Sequence, residues 1–161
     1  MNAEKLNSWI GVFANIGVVA GIVFLAVEVS QNSSELEHSR AVSTAQATFQ
    51  LNTALDDSYR ALAQDPELAQ LVKNGYDNPD ALTELQLAQF GWWLRSTFNV
   101  HEASYFYYIQ GLIGEEDRGA RLTAVCNRIN TNGGRWYWEH NAEYFASGFV
   151  SSVDEWCFNN N

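Results

Sequence analysis

From Trp9 to Val29 the sequence reads WIGVFANIGVVAGIVFLAVEV, and between Ile10 and Val27 it holds no charge and one strongly polar residue, Asn15. Wound as an α-helix, that stretch spans roughly 27 Å, close to the ~30 Å hydrocarbon core of a bilayer. A helix apolar on every face needs lipid around it, or a protein shell larger than a chain of 161 residues can build. A cleaved signal peptide fits poorly. Lys5 is the only basic residue ahead of the run, and Val27-Glu28-Val29-Ser30 makes a poor cleavage site. Trp9 stands where an interfacial aromatic anchors a span, and Glu28 marks its far end. The expected organisation is a tail over 1–8, a transmembrane helix over 9–29, a helical domain over 30–158 and a flexible tail over 159–161.

The span carries a pattern for association as well as insertion. Ala14, Gly17, Gly21, Phe24 and Glu28 fall on one helical stripe, and Gly17 to Gly21 is a GxxxG motif. Small residues let two backbones approach closely, which is how packing joins helices in a solvent as apolar as they are. Asn15 lies beside the stripe and can hydrogen-bond across such an interface for roughly 0.6–2 kcal/mol. Glycine is also simply common in spanning helices, but Ala14 and Asn15 beside the pair favour a homo-oligomer. One Asn and a terminal Glu are too little for a pore or proton path. Lys5 precedes the span, while Glu28, Glu35 and Glu37 follow it with no Arg before Arg40. The positive-inside rule therefore leans towards a single-pass protein with its N-terminus inside and its domain outside, which is the periplasmic side if the membrane is a bacterial inner membrane.

The net charge of −10, with no basic face, argues against a nucleic-acid partner. It also disfavours adsorption of the domain onto anionic headgroups. Six Trp, seven Tyr, nine Phe and only two Pro describe a folded, aromatic-rich domain rather than a disordered one. Cys126 and Cys157 have no metal-ligand spacing, and fit either buried thiols or one disulfide in an oxidising compartment.

Residues 30–60 hold no Gly or Pro, while Leu36, Val42, Ala45, Phe49, Asn52, Leu55 and Tyr59 recur at helical spacing. The spanning helix is thus expected to continue into the domain. Asp65-Pro66-Glu67 signals a helix start, with Asn74-Gly75 as its stop. Asn78-Pro79-Asp80 precedes a second start, where Thr83 and Gln86 make a capping box. A long helix then runs to Gly111 with Leu87, Phe90, Leu94, Phe98, His101, Tyr105 and Tyr108 on one stripe. Glu115 to Ile129 reads as another helix, Asn132-Gly133-Gly134 as a break, and Trp136–Ala146 and Gly148–Trp156 as the last two helices. Nothing alternates at period two, so the fold is expected to be all-α: one transmembrane helix continuous with a small bundle.

Several short motifs carry a family resemblance across nearly the whole chain. They are Gly21-Ile22-Val23-Phe24-Leu25, the EVSQN of Glu28 to Asn32, and Asp65-Pro66-Glu67-Leu68-Ala69. Phe90, Arg95, Phe98, Glu102, Tyr105 and Gly111 follow, then Gly134, Trp136, Trp138, Phe145 and Phe149. In these the chain resembles a widespread bacterial family of small proteins with one N-terminal transmembrane helix and a helical domain. That family typically has basic residues after the span, where this chain has Val29 and Ser30. The resemblance implies the architecture and carries no known activity.

The best candidate site is the ladder Arg95, Asn99 and Glu102, placed on one helix face by spacings of four and three, with Trp92 and Phe106 beside it. Together with His101 and Tyr105 it can clamp a small polar ligand, or do acid–base work if burial raises the carboxylate's pKa. The competing reading is an ion pair that fixes the bundle's register, with His101 a core residue. Glu35-x-x-His38 is a lone half of a di-iron motif, so no metal is expected. No Gly-x-Ser-x-Gly, Cys–His pairing or phosphate loop appears, and no cofactor is expected. Trp136, Trp138 and Trp156 fit either the core or the headgroup level of a membrane. The pattern points first to a membrane-anchored scaffold or accessory subunit, with the bilayer, a second copy and a larger membrane complex as partners. Second comes a small-ligand sensor around Arg95, Glu102 and Tyr105, and third a membrane-bound enzyme of unstated class.

Overall fold

A computed structural model describes residues 3–159, with side chains from Trp9 onward. The expected tails at 1–2 and 160–161 lie outside the described residues. The architecture is all-α. The helices are α1 (Ala3–Gln64), α2 (Pro66–Asp77), α3 (Glu84–Ile109), α4 (Glu115–Ile129), α5 (Asn132–Asn141) and α6 (Ser147–Phe158), with 3₁₀ turns at Pro79–Ala81 and Ala142–Tyr144. The first helix begins earlier than the expected tail over 1–8 allows, because Ala3-Glu4-Lys5-Leu6 is a run of good helix formers.

Two compact units divide the chain, residues 1–43 and 44–161. In the first, α1 contains an 18-residue window of mean hydropathy 2.5, none of it buried. By length and composition this helix can cross a membrane.

The second unit takes in the end of α1 and all the later helices. There α1 buries Ala47 and Leu51, whereas Phe49, on the expected stripe, is 72 % exposed and Tyr59 is exposed too. Leu51 and Ala54 share a shallow groove with Val100 and Ala103 of α3. The Tyr107 hydroxyl donates to Gln50 Oε1 across it at 2.8 Å.

The core joins α3, α4, α5 and α6 through Phe90, Leu94, Phe98, Val125, Ile129, Tyr137, Trp138, Phe149 and Val153. Aromatic rings interlock at its centre. Phe98 stacks on Tyr137 with centroids 5.6 Å apart, and Trp138 meets Phe149 edge-on at 6.0 Å. Trp138 is therefore core, and its indole N–H donates to Asp154 at 3.3 Å.

Side-chain caps set the starts of α2, α3 and α5. Asp65 Oδ1 accepts the N–H groups of Glu67 and Leu68, both at 3.0 Å, and Thr83 with Gln86 closes the capping box. Two of the expected glycine breaks do not occur. α2 continues past Gly75 to Asp77, and α5 begins at Asn132, capped by Thr131, with Gly133 and Gly134 inside its first turn. These glycines serve close packing. A Cβ on Gly133 would strike the Gly75 carbonyl, and one on Gly75 would strike the Phe90 ring. Gly111, at φ 70°, does end a helix in the left-handed conformation.

Cys126 on α4 and Cys157 on α6 form a disulfide, with Cα atoms 5.3 Å apart. It fastens the C-terminal helix to the bundle, in a unit whose core is small.

Candidate functional site

Arg95 and Glu102 lie on the face of α3 turned towards the 3₁₀ turn and the start of α6. Both terminal nitrogens of Arg95 donate to the Tyr144 carbonyl at 3.3 Å, and its guanidinium sits 4.3 Å from the Phe145 ring centroid. Glu102 Oε1 accepts the backbone N–H of Ala146 at 2.6 Å. Ala146 precedes α6 and brings no side-chain cap, so the carboxylate also stands near the positive end of that helix. The two charges thus hold one segment, Tyr144 to Ala146. Asn99 does not join them: it is exposed and borders the groove shared with Gln50 and Leu51. Tyr105 packs against Phe106 and Phe149, and its hydroxyl occupies the space a side chain at Gly148 would need.

His101 belongs to the core. It is 2 % exposed, and Arg128 Nη1 contacts its Nε2 at 3.0 Å. Burial, with Arg128 and Arg121 adding repulsion, lowers its pKa from 6.5 to about 3. The ring is neutral at physiological pH and sealed from solvent, which suits a structural role better than acid–base work.

An open groove of ≈ 710 Å³ lies between α3 and α5. Arg95 is the ladder residue that reaches it; Leu87, Gly91, Trp92, Trp136, Asn141 and Tyr144 form most of the rest. Trp92 is 68 % exposed and Tyr144 64 % exposed, so two rings stand free at its rim. Burial raises the pKa of Tyr137 on the groove wall, against a lowering by Arg95. Sequence reasoning placed Trp92 beside the ladder but missed Asn141 and Tyr144. Their only signal is the dense aromatic run from Trp136 to Phe145, which reads equally well as core.

Arg121 and Arg128 were also missed. A spacing of seven sets them on one face of α4, and that periodicity was the available signal. Among the described residues no three His, Cys, Asp or Glu side chains gather as a metal site would require. No family model, curated protein or solved structure matches this chain.

Proposed function

We propose that this chain is a single-pass protein of the bacterial inner membrane, with its helical domain on the periplasmic side. It self-associates through the spanning helix and serves as a scaffold or accessory subunit of a larger membrane complex. One observation carries the reading: an 18-residue window of mean hydropathy 2.5 with none of it buried. Such a surface in water far exceeds the apolar patch a soluble monomer tolerates, and lipid removes it. The Cys126–Cys157 disulfide supports the orientation, because structural disulfides persist in oxidising compartments.

Self-association draws support from the glycines of the span. A Cβ at Gly17 or Gly21 would meet nothing within 4 Å, leaving the stripe with Ala14 and Asn15 open to a second helix. Native mass spectrometry from mild detergent tests this directly. A defined oligomer that Gly17→Leu with Gly21→Leu disperses supports it; an oligomer of unchanged size would place the association in the domain instead.

A second reading, a small-ligand sensor, is favoured by the groove at Arg95. Its ligand would touch Arg95, Trp92 and Tyr144 rather than Glu102 and Tyr105. In the same spectrum it predicts a reproducible extra mass that Trp92→Ala removes while leaving the subunit count unchanged.

A further inference from the structure

A small cavity lies where α3, α4 and α6 meet. His101 and Ser104 line it from α3, Arg118 and Arg121 from α4, and Phe149 and Ser152 from α6. It leaves ≈ 10 Å³ for the centre of a water-sized particle, room for one such guest.

Two of the lining residues each carry a buried nitrogen without a partner among the described residues, His101 Nδ1 and Arg121 Nε. Both are donors. An arginine Nε carries its hydrogen at every accessible pH. Arg128 can only donate, so its contact at 3.0 Å makes His101 Nε2 the acceptor and puts the proton of the neutral ring on Nδ1. Buried donors are almost always satisfied, so two orphans on residues that line one small cavity call for an acceptor there.

The local charge has the same sign. Arg118, Arg121 and Arg128 surround His101, and of these Arg118 has a carboxylate bridge, to Glu115 at 2.6 Å. Arg121 bonds the Asn52 amide oxygen, while Arg128 bonds the Ala124 carbonyl and the Tyr59 hydroxyl, all neutral groups. Asp117 acts on Arg121 only at a distance. Partly desolvated guanidinium groups favour a nearby counter-charge.

We propose that this cavity binds one small inorganic anion of the halide class, held by His101 Nδ1–H and Arg121 Nε–H. An acceptor-only guest satisfies both donors and supplies the missing negative charge. The cavity has room for one guest near the size of a water molecule, which leaves none for phosphate, sulfate or a carboxylate. Bound there, the ion ties α3 to α4, close to the helix pair the disulfide joins.

The test is thermal unfolding of the full chain in non-ionic detergent, in sodium chloride against sodium gluconate at matched ionic strength. The midpoint should rise with chloride by about 4 °C per tenfold once the site fills, and stay flat in gluconate. Arg121→Met should abolish the chloride response. Anomalous diffraction from bromide-grown crystals should place a peak between His101 Nδ1 and Arg121 Nε, and it decides the matter if Arg121→Met does not fold. Equal midpoints in the two salts, a bromide peak elsewhere, or a water refined in the cavity would each overturn the proposal.

Discussion

The Glu102 carboxylate accepts the backbone N–H of Ala146 at 2.6 Å, bridging 44 residues of chain. Glu102, with Arg95 on the Tyr144 carbonyl, holds the segment leading into α6. Truncating Glu102 should therefore be felt in stability. Glu102→Ala strands a half-buried donor and should cost about 1–3 kcal/mol, while Glu102→Gln keeps an acceptor and should cost less. Chemical denaturation of the two variants against the parent checks the order; equal losses would mean the hydrogen bond itself contributes little.

The disulfide joins Cys126 to Cys157 across a sequence separation of 31. Constraining the unfolded chain over that length is worth about 3–4 kcal/mol. The double variant Cys126→Ser with Cys157→Ser should lose that much, and reductant should destabilise the parent without touching the variant. Urea titrations with and without reductant provide the measurement.

Stability should also fall with acid in a way traceable to one ring. The unfolded His101 takes a proton near its ordinary 6.5, while the folded ring resists until about 3. The charged form is the one disfavoured in the fold, so the unfolded state binds more protons throughout that window. Stability is then fully present above pH 6.5 and is lost as pH drops, by about 1.4 kcal/mol per unit. The interval from pH 6 to 5 is the cleanest, since most carboxylates are still ionised there. In halide-free buffer His101→Gln should flatten this slope; an unchanged slope would assign it to other groups.

Glycines should separate by what surrounds them. Gly133→Ala drives a methyl into the Gly75 carbonyl and should cost about 1–3 kcal/mol. Gly91 lies inside α3 with nothing within 4 Å of a Cβ, so Gly91→Ala should stabilise the domain by about 0.5–1 kcal/mol. Thermal midpoints of the two variants should move in opposite directions.

What was legible in the sequence was whatever local chemistry decides. Asp65-Pro66 and the Thr83–Gln86 box mark helix starts because a cap is made within four residues, and both are formed. Gly75, Gly133 and Gly134 misled because a glycine that ends a helix and one that lets helices touch are the same letter; the partner that distinguishes them is far along the chain. The face of α1 around Ala47 and Leu51 was hidden for a related reason: larger apolar residues such as Phe49 drew the stripe elsewhere. Arg95 and Glu102 were legible as a pair of charges on one helix face. That they clasp backbone atoms at Tyr144 and Ala146 was not, since a carbonyl or an N–H carries no signature in the sequence.

The most direct test of the account is protease accessibility in sealed spheroplasts expressing the full chain, read by mass spectrometry of the membrane fraction. External protease should remove peptides from residues 44–159 and leave a membrane-embedded fragment containing Trp9 to Val29. A domain fully protected until the membrane is broken would place it on the reducing side. A chain released intact by an alkaline wash would contradict the anchor altogether.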